Sequence, residues 1–376
     1  MKKKLFPTIL ALICAICCLF SLAACGTNGS GGGGGRNEPE FASGSGTQDS
    51  PYIVERDYQW LNVAKYPNAY FELSADINMG DYKSIAPIGT AETPFTGTID
   101  GKNHSITGAA VKSKHTPGLF GVLSGATIKN LRFENSSVAM TSDYDDGEYM
   151  GSFAAVARKG TEIENCHTEN INMTFYSQTS YFNFVGGFVG SLESVSSANY
   201  CSCDVKISCS SGKYPGFYIG GFAVLAAGST IDCCAVTGSV TMDGYAAVYV
   251  MDIAAIVYTV KNSTISNMCI EMNINAVNSD VYTLAGKVDE ENLKYCLNFS
   301  TYKYATEGRY KKCDVASNAS RDWNICFTAS NLGEANSTLD SSLWVDNKYW
   351  KKGKLHPELV SYEKYLELKE SEEATE

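Results

Sequence analysis

The chain repeats itself, and the period constrains its fold more than any other feature. Phe120, Phe153, Phe188 and Phe222, each preceded by Leu, Ser or Gly, lie 33, 35 and 34 residues apart. A second marker ends at Leu131, Cys166, Cys201, Cys234 and Met268 and steps by 35, 35, 33 and 34. Two markers on one period describe one supersecondary unit stacked on copies of itself. Inside the unit, Leu131 and Phe133 alternate with Arg132 and Glu134, and the same alternation follows Cys166, Cys201 and Cys234. Period two between turn residues means half-buried strands. A period of about 34 residues holds three short strands and three turns. Parallel stacking of such coils gives an all-β solenoid, a parallel β-helix. At ~4.8 Å per rung, about seven coils would make a body ~34 Å long.

Composition agrees with turn-rich β-structure, with 34 Gly and 23 Tyr against 9 Pro. Cysteine is harder to place. Of 14 residues, Cys14, Cys17 and Cys18 lie in the apolar N-terminal segment and Cys25 follows it, leaving ten. Cys166, Cys201 and Cys234 share a column with Leu131 and Met268, and Cys296 extends it. A column open to Leu, Met and Cys is an inward apolar stack of reduced thiols. Cys313 and Cys326 fall outside the period and are the better candidates for a disulfide.

The N-terminus sets the location. Lys2, Lys3 and Lys4 precede an apolar run from Leu5 to Leu22, then Leu22-Ala23-Ala24-Cys25. This resembles the lipobox of bacterial lipoproteins. The resemblance implies that Cys25 is diacylated, becomes the mature N-terminus and anchors the protein to a membrane, facing outward. The alternative is an uncleaved transmembrane anchor. Residues 26–46, with the run Gly31–Gly35, read as a flexible linker. Net charge moves from −11 to −14 once the three signal lysines leave. So acidic a body argues against nucleic acid and against polybasic membrane contact.

Gly118-Leu119-Phe120-Gly121, Val185-Gly186-Gly187-Phe188-Val189-Gly190 and Ile219-Gly220-Gly221-Phe222 resemble GLUG-motif repeats. Ser45-Gly46-Thr47-Gln48-Asp49-Ser50-Pro51-Tyr52-Ile53-Val54 is similar to the segment that leads into them. Tyr70–Ile77, Pro87-Ile88-Gly89 and Phe95–Gly101 complete the pattern, over about residues 45 to 300. The resemblance implies an adhesin-like surface protein with a right-handed parallel β-helix and no fixed catalytic residues. Residues 250–257 depart from it, with Met251-Asp252-Ile253-Ala254-Ala255 in place of Gly-Gly-Phe. The register of the last coils is therefore open.

Terminal rungs need covers against edge pairing. Tyr58–Tyr66, with Trp60 and Leu61, reads as a capping helix. Trp344, Trp350 and Leu355 are candidates to cover the last rung, and residues 362–376 read as a charged helix or tail with Glu370-Ser371-Glu372-Glu373 solvated. The expected organisation is a signal peptide over 1–24, lipidated cysteine and linker over 25–50, and an N-terminal cap over 51–92. Repeats follow over 93–305, then a C-terminal cap and tail over 306–376.

No HExxH, GxSxG, P-loop or dinucleotide fingerprint occurs in the mature chain. No catalytic residue, cofactor or metal site is expected, and His104 reads as a turn residue. Two surface columns remain. Glu134, Glu169 and Asp204 fall three positions after successive markers, with Arg132 and His167 beside them. Carboxylates on adjacent rungs, ~4.8 Å apart at the backbone, suit a retaining glycosidase or Ca²⁺, or are a solvated face. Asp143–Glu148 is rich in carboxylates but lacks the EF-hand spacing. The second column is aromatic. Tyr144, Tyr181, Tyr214 and Tyr245 recur at intervals of 37, 33 and 31 and should line one edge. The expectation is a non-enzymatic adhesion or capture module for an extracellular glycan or protein. A polysaccharide-cleaving β-helix enzyme and a structural spacer are the alternatives.

Overall fold

The computed structural model describes residues 39–142, 148–178, 182–211, 216–243, 250–276, 280–282, 284–288, 293–298, 300–304, 325–326, 348–352 and 358–374. All of them but Pro39 belong to the unit Glu40–Glu376. It is a β-helix, as expected. One coil runs from Val189–Glu193 through Ser197–Asn199 and Ser202–Ser211 to Gly216–Gly220. Each of these strands pairs in parallel with its counterpart one coil away.

Two expectations are corrected. Among the described residues four parallel sheets enclose the core rather than three, with nine strands in the first, twelve in the second, five in the third and six in the fourth. The third and fourth are short sheets that share the span assigned to one longer face. The coil count also differs from seven. From Tyr149–Gly151 to Asp280–Tyr282, the ends of the five-stranded sheet, the chain makes four turns. Earlier coils advance 28 and 29 residues, from Tyr70 to Thr98 to Thr127, too few to build the third sheet. From Thr127 the advance is 35, 35, 33 and 34 residues, the period of the markers. Stacking begins ahead of residue 93, since Tyr52–Val54 already pairs with Tyr70–Leu73.

Both markers are inward ladders. Phe95, Phe120, Phe153, Phe188 and Phe222 are all 0% exposed. Phe188 stacks on Phe153 and on Phe222 with ring centroids 4.9 Å apart in each case. The next rung has Ile256 in this position. Gly216↔Val250 and Gly220↔Ala254 are in register, so the divergent residues 250–257 keep the frame. The second ladder is Leu131, Cys166, Cys201, Cys234, Met268 and Cys296, all buried, and Cys166, Cys201 and Cys234 are reduced thiols. Every position in this column follows a residue with positive φ, namely Asn130, Asn165, Tyr200, Cys233, Asn267 and Tyr295. That kink turns the carbonyl two residues back toward the thiol. Cys166, Cys201 and Cys234 donate to the carbonyls of Glu164, Asn199 and Asp232 at 3.3, 3.3 and 3.2 Å. A leucine would leave those oxygens without this donor.

Asn favours the left-handed kink, and Asn165 Nδ2 donates to Asn130 Oδ1 at 2.8 Å to tie two rungs together. Tyr200 and Cys233 interrupt this amide ladder, and there the C-terminus docks. Trp350–Lys351 pairs antiparallel with Glu358–Leu359, and the helix Tyr362–Glu373 follows. Trp350, Tyr349 and Tyr365 form a buried cluster with Cys233 and Leu297. The Tyr200 hydroxyl donates to the Val360 carbonyl at 2.7 Å, and the Tyr362 hydroxyl to Glu164 at 2.8 Å. Lys369 pairs with the buried Asp232 at 3.2 Å.

Trp350 therefore packs on the flank that carries Cys233 and Leu297. Glu372 is not a solvated tail residue. It accepts from the Tyr349 hydroxyl at 2.6 Å and pairs with Lys348 at 3.1 Å. Trp344, Leu355 and Cys313 lie outside the described residues. At the other end the expected capping helix is present as Asp57–Asn62 followed by Val63–Lys65. Its Trp60 is 1% exposed, edge-on to Phe120.

Candidate functional site

The Gly-Phe motif makes the corner between the third and fourth sheets. A Cβ on Gly186 would lie 1.9 Å from the Val189 carbonyl oxygen, and one on Gly220 1.7 Å from that of Ala223. Glycine lets the backbone turn this tightly. The outer faces of the two sheets then meet at an inner angle. Tyr218 of the third sheet stacks on Tyr258 of the fourth with centroids 4.5 Å apart. Val224, Ala254 and Tyr258 form a cluster separate from the main core, with Phe184, Tyr218 and Tyr282 packed against it.

This corner carries an aromatic ladder. Tyr149, Phe184 and Tyr218 are in register on successive rungs, followed by Asp252. Tyr149 and Phe184 stack at 4.9 Å and 19°, Phe184 and Tyr218 at 5.5 Å and 20°. Phe182 stacks on Tyr218 from the same rung as Phe184 and is 45% exposed. The rings lie face to face along the stacking direction, so their faces cover one another. What remains outward is ring edges and phenolic tips.

Carboxylates flank those tips. The Tyr258 hydroxyl donates to Asp252 Oδ2 at 2.6 Å. Burial and then the Glu193 carboxylate push the Tyr149 phenol above its ordinary pKa. Burial and then Asp252 do the same to Tyr218. Both phenols stay protonated donors at neutral pH, in a locally negative field. Lys287 Nζ lies 5.9 and 5.6 Å from the Tyr218 and Tyr258 centroids. Being nearly equidistant from two stacked rings, the ammonium flanks the stack instead of capping a face.

Tyr144, Tyr181, Tyr214 and Tyr245 lie outside the described residues. The structure shows a ladder of Tyr149, Phe184 and Tyr218, which steps by 35 and 34 residues, in phase with both markers. Cys25 also lies outside the described residues, as do residues 143–147 of the carboxylate-rich loop. Its last member, Glu148, pairs with His115 at 2.7 Å.

The acidic column is placed but spent. Glu134 and Glu169 are in register. Arg132 bridges them, with Nε on Glu134 and Nη2 3.3 Å from Glu169. Asp204 does not continue the pair, because the register shifts between Thr168 and Ile171. It accepts from the Asn170 backbone N–H and the Thr237 hydroxyl, both at 3.2 Å. This geometry leaves no free acid and base facing a common point.

One string of residues escaped the sequence reading. His167 contacts Ser202 Oγ at 2.9 Å through Nδ1 and Asn165 Oδ1 at 3.0 Å through Nε2. Because Asn165 Oδ1 only accepts, Nε2 carries the proton and Nδ1 accepts from the Ser202 hydroxyl. The connectivity is that of nucleophile, base and orienter. The electrostatics oppose that chemistry. Burial and then Arg132 pull the His167 pKa from 6.5 to about 4. An imidazolium would form against that field with a neutral amide for support. The string instead ties two rungs together, and the Asn165–Asn130 bond adds a third.

A pH prediction follows. Between pH 6.5 and 4 the unfolded chain binds a proton at this histidine and the folded chain does not, so stability falls with pH across that window. The loss should be about 2 kcal/mol by pH 4.5. Urea midpoints at pH 7 and 4.5 should show a smaller drop in His167→Gln than in the parent. Equal drops would remove His167 as the cause.

No protein-family model matches the chain. Among curated relatives, halomucin of Haloquadratum walsbyi is 29% identical over 171 residues, 40% of this chain and 2% of that protein. A protein of Evansella cellulosilytica described as a "Putative Gly-rich membrane protein" is 32% identical over 114 residues, 28% of this chain and 12% of that protein. The chain thus spans a small fraction of either relative. Among solved structures, a "putative immunoglobulin A1 protease" of Bacteroides ovatus superposes with a TM-score of 0.57. It is 21% identical and aligns over 85% of this chain and 95% of that one. That likeness is one of fold.

Proposed function

We propose that this is a lipid-anchored, outward-facing bacterial surface protein whose β-helix captures an extended glycan without cleaving it. One observation carries the reading: the Tyr149–Phe184–Tyr218–Tyr258 ladder on the outer face. Tyr149 and Tyr218 stand two rungs apart with Phe184 stacked between them, so the ladder sets phenolic donors at a fixed interval along the coils, which suits a polymer of repeating hydroxyl-bearing units. A protein partner would need an apolar anchor cluster. Among the described residues the exposed large hydrophobics are Tyr176, Phe182, Val195 and Leu366, and of these Phe182 alone stacks on a ladder ring. The Evansella relative, described as a membrane protein, supports the membrane setting, as does the lipobox at Cys25.

Because the faces are spent, the hydroxyls should matter more than the rings. The double variant Tyr149→Phe, Tyr218→Phe should keep its melting temperature and lose about 1 kcal/mol of binding per hydroxyl on a glycan array. Parent-like binding would dismiss the ladder as packing. Cys25→Ala should abolish incorporation of a fatty-acid analogue in cells, and undiminished labelling would refute the anchor.

A further inference from the structure

We infer that the outer face of the second sheet is a separate glycan-contact surface, on which an uncharged pyranose strand lies against Tyr176. It uses none of the residues of the corner ladder, so each site can fail without the other. The face is built by the long strands His167–Ser177, Ser202–Ser211 and Ala235–Asp243, paired in parallel. Two outward columns cross them in register. One is Asn172, Lys206 and Ser239, the other Thr174, Ser208 and Thr241. Asn172, Thr174, Lys206 and Ser208 are exposed, Ser239 and Thr241 half-buried. Met173, Ile207 and Val240, which alternate with them, are buried in the core. All but Lys206 carry groups that both donate and accept, as sugar hydroxyls do.

Tyr176 supplies what hydroxyls and amides lack. It follows Thr174 by two residues on the same strand and is 37% exposed. Its in-register neighbours on the adjacent rungs are the smaller Thr141 and Ser210. Among the described residues no aromatic ring stacks on it, whereas the faces of Tyr149, Phe184 and Tyr218 cover one another. A pyranose has an apolar C–H face and a rim of hydroxyls. The open ring takes the first and the two columns take the second.

Size and charge define the occupant. The Thr174 column crosses five rungs, from Ala139 to Asn275. With Tyr176 as a third column the face is about 20 Å by 13 Å, roughly a third of the ~800 Å² that a standard protein partner covers. That suits a ligand one strand wide. In a chain of net −11, neither main column carries a carboxylate over these rungs, and Lys206 is its one charge. Asp204 and Glu271 stand one column away, beside Lys206 and Asn273. An uncharged strand fits here without bringing like charges together.

The test is affinity electrophoresis of the full-length protein in gels holding a soluble neutral glucan, mannan, xylan or galactan. At least one polymer should retard it, and Tyr176→Ala should weaken that retardation about tenfold. Tyr176→Trp, which keeps the aromatic platform, should retain it. The double variant Thr174→Val, Ser208→Ala should lose about fivefold per hydroxyl. These side chains point outward, so every variant should keep the parent's melting temperature. Parent-like retardation of both Tyr176→Ala and the Thr174, Ser208 variant overturns this face. If Tyr149→Phe, Tyr218→Phe loses retardation in the same gels, capture at the corner then stands without it. The converse pattern supports this face and removes the corner. No retardation of the parent by any of the four polymers overturns both.

Discussion

Cys201→Asp is expected to remove the folded state. Cys201 is 1% exposed, between Cys166 and Cys234 in a column otherwise filled by Leu131, Met268 and Cys296. Its sulfur lies 3.3 Å from the Asn199 carbonyl and 3.6 Å from that of Ile163, so a carboxylate would meet two acceptors. An unpaired buried charge costs more than about 4 kcal/mol, a large part of the 5 to 15 kcal/mol that holds a domain together. Circular dichroism and urea titration would read the loss. A variant with the parent's midpoint would mean that the column does not face inward. Thiol titration gives an independent check. Burial holds the Cys166 and Cys234 thiols well above their ordinary range, so both should react only after denaturation.

Phe188→Ala should cost about 3 to 5 kcal/mol. The ring is sandwiched between Phe153 and Phe222 at 4.9 Å on each side, and neighbouring rungs are held apart by their own hydrogen bonds. They cannot close over the cavity, so the loss combines transfer free energy with an empty space. Phe182→Ala is the matched control. Its ring is 45% exposed outside the solenoid and should cost under about 1 kcal/mol. Similar urea midpoints for the two variants would contradict the assignment of inner and outer ladders.

The two aromatic ladders also show where sequence reading succeeds. Phe120, Phe153, Phe188 and Phe222 announce themselves because stacking repeats one local environment at a fixed period. The same repetition revealed the thiol column and the half-buried strands. Trp60 was legible as a cap because a short helix signal stands at the start of the folded chain, between the first two strands that stack.

Other features depend on distances that no period encodes. The inner angle between the third and fourth sheets arises where backbone atoms approach so closely that Gly186 and Gly220 have no room for a methyl group. That angle selects Tyr149, Phe184 and Tyr218 as the outer column. The bridging of Glu134 and Glu169 by Arg132, and the register shift that takes Asp204 out of line, are settled between rungs. Tyr200 meets Val360 across 160 residues of chain, a contact without any repeating signal. By itself the sequence determined that this protein stacks coils and which side chains fill them, since both follow from local alternation and period. The tertiary structure alone decided which outer residues share a surface and which charges are already paired, because those outcomes depend on how the backbone bends between one rung and the next.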